Sequence, residues 1–553
     1  MKSGSWMVRF LAMVVLSGII LGGGHQLSAA TGLKPDSALK PIQYTVYLNY
    51  PGQPSTPDNM ISKLIEKEFG IHLEYEFANG VNEQQIGVMI AGNDYPDIIT
   101  GDKRLINAGV LIPLEDLIDK YAPNLKRHYA PYRNKVKDPG DGHIYILANF
   151  GRFYGNYRPT TYMGPSFWIQ KAVLKEFGYP KVKTLDQYCD LINRYKKKYP
   201  EINGMPTIGF EILCDGRRNF CLKNPPQHLI GHPNDGNVVV DYRGKTYHAE
   251  IFADKDYARR YYKKLNEMNA LGLIDQETFL ETYEQYLAKM SSGRALGTFD
   301  QLWNFNRAND ALIMKKQYER TYAPCPVVFD AGTRDWYADR VVLNINSGFA
   351  ITKSCKDPVR FIKFLDALLT EKWQKILNWG IQGEDYSVDA KGVFYFTPEQ
   401  RAHKYDRSWR LRSREETLWS NAPKMEGTFK DGNACSPGDQ PGEFYECLLP
   451  FDKKFLAAYQ YKTWADFYSP PPPNPICYPA WQINLINGSP AKIANFKLNE
   501  ISSKYLPMVI LAKPEDFDKI WNEYVTELHK VNIKAYEDRI NEQIQWRLKN
   551  WGG

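Results

Sequence analysis

From residue 41 the spacing of apolar side chains switches between two periods. "PIQYTVYLNY" (41–50) alternates and is rich in β-branched and aromatic residues, which predicts a strand. "STPDNMISKLIEKEFG" (55–70) has a Ser/Thr cap region, Pro57 in the predicted first turn, apolar Met60, Ile61, Leu64, Ile65 and Phe69, and Gly70 as a stop. That is an amphipathic helix. "IHLEYEF" (71–77) returns to strand, "EQQIGVMIAGN" (83–93) is helical, and "YPDIIT" (95–100) is a short buried strand. Strand, helix, strand, helix, strand argues a parallel α/β sheet, whose ligands bind off the carboxyl ends of the strands.

The middle alternates in the same way. Helices are predicted at "TLDQYCDLINRYKKKYP" (184–200) and "DKDYARRYYKKLNEMNALG" (254–272), and a buried strand at "NSGFAIT" (346–352). "DPVRFIKFLDALLTEKWQKILNWG" (357–380) reads as one long helix, closed into the core by Trp379. "SPPPPNPICYP" (469–479) is too proline-rich for helix or central strand. The last stretch, 513–551, is helical, with Phe517, Ile520, Tyr524, Val525, Leu528 and Tyr536 on one side.

The start of the chain differs. Lys2 and Arg9 precede an apolar run from Phe10 to Leu21, followed by small and polar residues. A bilayer span needs roughly twenty apolar residues, so this run reads as a secretory signal, cut near Ala30-Thr31. Leu21-Gly22-Gly23 fits the box at which lipoproteins are acylated, but Gly24 stands where the thiol would be. An exported chain without a lipid is expected.

Composition adds bounds. A chain of 553 residues suits two or three domains. Its net charge of +7 is small for this size, and basic residues form only short runs such as Lys196-Lys197-Lys198. No nucleic-acid partner is expected. Eight cysteines contain no Cys-x-x-Cys pair, which argues against zinc or thioredoxin-type redox chemistry. Export permits disulfides, with Cys214/Cys221 and Cys435/Cys447 closest in sequence, and free buried thiols are the equal alternative. No metalloprotease, nucleophile-elbow or dinucleotide motif occurs, and "GKT" (244–246) lacks the first glycine of a phosphate loop, since position 239 is valine. The surplus is in flat rings: 13 Trp, 37 Tyr and 26 Phe. Such rings can stack on sugar faces, although most serve cores.

The order of several segments resembles the extracellular solute-binding proteins of carbohydrate ABC importers, in particular the long oligosaccharide- and oligouronide-binding subgroup. "AGNDYPDIIT" is similar to that family's "aGd-x-PDii" segment, "LNEMNALGLIDQETF" to "my-x-eGLidpE-f", and "YLAKMSSGRALGTFDQLW" to "f-x-sGkag-x-x-x-x-W". "NWGIQGEDYSVDAKGVFYF" is similar to "n-y-GieG-x-x-Y-x-x-d-x-x-G", and "KYLPMVILAKPEDFDKIWNEYVTEL" with "YEDRINEQIQWRLKNW" to its C-terminal helices. These reach from about residue 41 to 551. The sequence departs from the family at Gly24, and at the calcium loop of many long members: "YPEINGMPTI" offers only Glu201 and Asn203 as side-chain ligands, too few for the six to eight oxygens calcium takes. No metal and no cofactor are expected.

The resemblance implies an α/β, two-lobed periplasmic-binding-protein clamp with a hinge, class II-like, with a helical C-terminal elaboration. The expected first lobe is 41–160 plus 340–385, and the second 161–339 plus 386–553. The implied function is capture of an oligosaccharide, acidic sugars included, by a monomer that hands it to ABC transporter permease subunits, without catalysis. Trp303 sits where the resemblance places a stacking ring. Arg152, Tyr154, Tyr162 and Trp168 come from the glycine- and ring-rich "NFGRFYGNYRPTTYMGPSFW" near the first crossing between lobes, and Trp336 and Arg340 from "DAGTRDWYADR" near the return. Tyr50 follows from the strand-end rule, and Trp409 is added from "RSWRLRS". A secreted polysaccharide lyase or glycoside hydrolase is the rival, because two carboxylates anywhere in the fold could form a site. A peptide- or signal-sensing binding protein with the same clamp is a third reading, since fold does not fix ligand.

Overall fold

The computed structural model describes residues 40–78, 82–155, 159–242, 246–339, 342–345, 347–403, 406–471, 479–481 and 483–551. The leader with Gly24 and Ala30, and the part of the proline run at 472–478, lie outside them.

Local chemistry sets the first element boundaries. The Asn59 side chain accepts from the backbone N–H groups of Ile61 and Ser62, and so starts helix Met60–Phe69. Pro57 therefore precedes the helix rather than occupying its first turn. Gly70 ends it at φ 61°, a conformation that costs glycine nothing.

The strands that set the architecture are β1 (Ile42–Leu48), β2 (Ile71–Phe77), β3 (Ile98–Thr100), β4 (Leu147–Ala148), β5 (Phe153–Tyr154), β6 (Pro165–Gln170), β7 (Ile208–Glu211), β8 (Ala295–Gln301), β9 (Tyr322–Cys325), β10 (Gly348–Ile351) and β11 (Glu426–Gly427). The first sheet has the order β2-β1-β3-β10-β4, with β1 parallel to β2 and β3, and β10 antiparallel to both its neighbours. Tyr44, Val46, Leu48, Phe349 and Ile351 pack there against Phe361, Leu365 and Trp373. The second sheet has the order β9-β6-β8-β7, with β6 antiparallel to both neighbours and β7 parallel to β8. Its core joins Phe167, Phe210 and Phe299 to Leu506, Trp521 and Ile540. The C-terminal helices Pro490–Leu511, Phe517–His529 and Ile533–Asn550 are thus integral to the second lobe. The α/β two-lobed reading holds.

Two expectations change. The long helix predicted over 357–380 is two helices, Pro358–Leu368 and Glu371–Trp379, because Thr370 is extended (φ −72°, ψ 148°). The break sets Trp373 against Phe69, ring centroids 5.3 Å apart. Residues 407–422 also leave the second lobe for the first. Leu418 and Ala422 are buried in the first core, and Asn59 Nδ2 donates to the carbonyls of Leu411 and Arg414 at 2.9 Å each. The sequence in this region carried no sign of which sheet it would cover.

Candidate functional site

Strand direction decides where the lobes face each other. β4 is antiparallel to β10, which is antiparallel to β3, so β4 runs parallel to β1 and ends at the carboxyl edge of the first sheet. β6 is antiparallel to β8 and so begins at the carboxyl edge of the second. The return is equivalent: β9 ends at the carboxyl edge of one sheet and β10 begins at that of the other. Both crossings therefore join carboxyl edge to carboxyl edge, and the cleft beside them is bounded by the strand ends where α/β sheets bind ligands.

On the second lobe Trp303 stands at that edge. It lies in the first turn of helix Leu302–Met314, directly after β8, and is 53% exposed. Its backbone N–H donates to Met163 O (3.3 Å), its Nε1 donates to Gln301 Oε1 (2.5 Å), and its ring lies 6.3 Å from Phe220. Beneath it Asp300 is fully buried and accepts from Asn304 Nδ2, Tyr286 Oη and Cys221 Sγ. Burial still lifts its carboxyl to about 6. The result is an exposed indole on a fixed base.

On the first lobe Tyr50 follows β1, with its ring edge-on to Phe77 at 6.1 Å. Asn421 Nδ2 donates to its hydroxyl at 2.6 Å. Asn149, immediately after β4, reaches the residue before Asn421: its Nδ2 donates to Ser420 O (2.6 Å) and Ser347 Oγ (3.3 Å), while its buried Oδ1 has no hydrogen-bond partner among the described residues. Both amides are buried, Asn149 4% and Asn421 2% exposed, and they fix this edge from beneath.

The other expected residues divide. Trp168 is a correction: it sits mid-strand in β6, flanked by strands on both sides, is 2% exposed, and its Nε1 donates to Asp300 O. It is core. Arg152 and Tyr154 belong to the hinge, where β5 pairs with β11 in a parallel ribbon. The Arg152 guanidinium covers the Tyr154 ring at 4.4 Å and donates to the carbonyls of His128 and Phe153. Tyr154 Oη is hydrogen-bonded to His128 Nδ1 (3.0 Å), and burial, with Arg152 beside it, pushes that imidazole down to about 3. Tyr162 packs edge-on against Tyr468 (5.3 Å). Trp336, half-buried in the return crossing, donates to Asp339 Oδ1 and lies 5.1 Å from Tyr242. Trp409 stacks on His403 at 4.3 Å, on a helix packed against the first lobe. Arg340 lies outside the described residues.

A third connection completes the hinge. From Trp379 the chain passes through a small cluster of Trp379, Tyr386, Phe394, Phe429 and Cys435 before entering the second lobe at helix Pro450–Tyr459. The Glu426 carboxylate accepts from the Gly151 N–H, and Lys424 lies over the Trp419 ring at 3.7 Å. Burial lowers Lys424 and raises Glu426, and each charge opposes the other's shift.

A family model described as bacterial extracellular solute-binding protein matches residues 51–375. The chain belongs to that family. This solute-binding protein is 27% identical over 399 residues to the fructooligosaccharide ABC transporter substrate-binding protein FusA of Streptococcus pneumoniae, covering 67% of this chain and 71% of that one. Its fold is that of FusA solved with kestose (TM-score 0.61, 20% identity, 92% of this chain and all of the other). It is also that of the alginate-binding protein AlgQ2 (0.59, 18%, 92% and 98%) and of the N-glycan transport protein NgtS of Streptococcus pneumoniae (0.55, 14%, 92% and 100%). Membership makes the protein a binder rather than an enzyme.

Sequence reasoning missed Asn149 and Asn421 at the first lobe's edge. Their contacts span 271 and 371 residues of chain, a separation that no local pattern signals. Every described cysteine is a thiol, Cys214, Cys221, Cys435 and Cys447 included. "EINGMP" forms a tight hairpin with Asn203 and Gly204 at positive φ, and Asn203 Nδ2 donates to Ser292 O. Among the described residues no helix is long and apolar enough to cross a membrane.

Proposed function

We propose that this solute-binding protein captures an oligosaccharide between the two carboxyl edges and presents it to the membrane permease of an ABC importer. The observation that carries the reading is Trp303, more than half exposed on an otherwise fixed strand end. An open indole face matches the C–H face of a sugar ring. The Tyr50 side of the cleft supplies a half-buried phenol for hydroxyls. Fructooligosaccharide, kestose, alginate and N-glycan in the names of similar proteins favour saccharides over peptides. Binding proceeds by hinge closure, with the β5–β11 ribbon and the two crossings as the hinge. Trp303, Tyr50, Tyr162 and Trp336 are proposed to line the cleft, while Arg152 and Tyr154 position the hinge. With the Arg152 fork engaged by backbone carbonyls, a neutral sugar is favoured over a uronate.

The protein acts as a monomer outside the cytoplasm, after cleavage near Ala30 and without a lipid at Gly24. A thermal-shift screen of the processed chain against neutral and uronate oligosaccharides tests the capture reading. A ligand at 100 times its Kd adds about 2.7 kcal/mol to stability. A saccharide is expected to raise Tm; a shift with other small molecules and with none of the saccharides overturns the reading.

A further inference from the structure

A second feature of the same edge has no part in the site described above. At the carboxyl end of β9 lies a cavity of about 250 Å³ with Pro324, Cys325 and Pro326 at its base. Four rings, Tyr459, Tyr461, Phe467 and Tyr468, line it. Tyr459 and Tyr461 stack at 5.7 Å and 19°, and Phe467 meets them at 5.1 and 4.8 Å. Tyr459 Oη is anchored by donating to Pro180 O (3.2 Å). One wall is fixed by Asp335, which accepts from Ser469 Oγ (2.5 Å). Lys181, exposed, and Lys183, half-buried, also line it. The volume is below the about 300–1,000 Å³ of drug-sized sites. It suits one or two sugar rings.

Tyr162 and Met163 link one wall of the cavity to the base of Trp303. Trp303 N–H donates to Met163 O, Met163 is 48% exposed, and the ring of its neighbour Tyr162 touches Tyr468. β8 and β9 flank β6 on either side, which sets their ends about 10 Å apart. A ligand reaching from Trp303 to the Tyr461 platform must therefore be a chain rather than a single ring.

We propose that the Tyr459–Tyr461–Phe467–Tyr468 cavity is an accessory subsite that takes a terminal ring of an oligosaccharide whose other end stacks on Trp303. It makes the protein selective for chain length. The proposal rests on the capture reading above. Sugar C–H faces pack on the partly exposed rings of Tyr461 and Phe467, which are backed by the buried Tyr459 and Tyr468, and Lys183 donates to ring hydroxyls.

The test is a set of affinities for fructan and uronate ladders of two to six units, on the wild-type chain and on Tyr461→Ala and Lys183→Gln. The wild-type Kd for a bound ladder is expected to tighten at least tenfold from the shortest to the longest member. Tyr461→Ala removes that gain and leaves the shortest ligand within twofold of wild type. Lys183→Gln, a half-buried position with little bearing on folding, reduces the gain several-fold. A loss equal at all lengths, or no loss in either variant, overturns the accessory subsite and leaves capture intact. If no ladder binds the wild-type chain, the capture reading fails and the subsite with it.

Discussion

Lys135 of the first lobe places its ammonium 4.7 Å from the ring centre of Trp551 on the second. Arg547 covers the same ring at 4.4 Å and is held by the carbonyls of Pro479 and Trp481. Lys103 and Val136 on one side and Asn484 and Trp546 on the other line the space around this contact. It joins the lobes without using any of the hinge strands. A cation over an aromatic face contributes about 0.5–1 kcal/mol when exposed and about 2 kcal/mol when desolvated.

Trp551→Ala should therefore shift the ligand-free lobes toward a more open arrangement by up to about 30-fold. Small-angle scattering reads this as a larger radius of gyration without ligand and an unchanged one with it. Identical ligand-free curves for variant and wild type would show that the contact holds nothing.

Two tryptophans that look alike in sequence should part company on mutation. Trp303→Ala removes an exposed ring, so stability changes by no more than about 0.5 kcal/mol, while saccharide affinity falls by about 2 kcal/mol, roughly 30-fold. Trp168→Ala empties a core position and costs about 3–5 kcal/mol of stability. Urea unfolding and calorimetric titration on the same preparations separate the two. A Trp303→Ala protein that binds normally would remove the indole from the site.

The hinge ribbon needs glycine at its closest approach. Gly427 has φ +86°, and a Cβ there would lie 2.2 Å from Tyr154 O on the paired strand. Gly427→Ala must part β5 from β11 or strain the backbone, a cost of about 1–3 kcal/mol for the dihedral alone. A lower urea midpoint with weaker binding is expected. A midpoint equal to wild type would mean that the ribbon is not structural.

Acid and base should act on different buried groups. His128 is held neutral in the fold, near 3 against an ordinary value of 6.5, by burial first and Arg152 second. The unfolded chain thus binds an extra proton between about pH 6.5 and 3, and stability falls as pH drops through that window, by at most about 1.4 kcal/mol per pH unit. Glu211 is shifted the other way, raised by burial first and by Glu281 facing it second. The unfolded chain loses that proton above about 4.5 while the fold keeps it, so stability falls as pH rises from there. Glu211→Gln should be more stable than wild type at pH 8 and similar at pH 4.5. His128→Gln should lose stability less steeply between pH 6.5 and 4.5. Parallel pH profiles for variants and wild type would contradict both.

How much of this was legible depended on the kind of residue. β1 and β2 show in sequence because the apolar period marks them, and Tyr50 follows from β1 by the strand-end rule alone. Trp168 misled because "PSFWIQ" is buried on every residue, so no alternation separates it from the glycine-rich crossing before it. Arg152 and Tyr154 read as a cleft loop because their partner strand, Glu426–Gly427, lies more than 270 residues away. The break at Thr370 was hidden by a helical period that continues on both sides of it. The tyrosine cavity was invisible for a related reason: its walls come from segments near residues 180, 325, 335 and 460, brought together by the fold alone.

The most direct measurement is native mass spectrometry of the processed chain mixed with a saccharide ladder, followed by recovery of the bound sugar. One intact oligosaccharide per chain, released at its original length, is the predicted result. No bound sugar, or a sugar that returns shortened or unsaturated, would contradict capture without turnover.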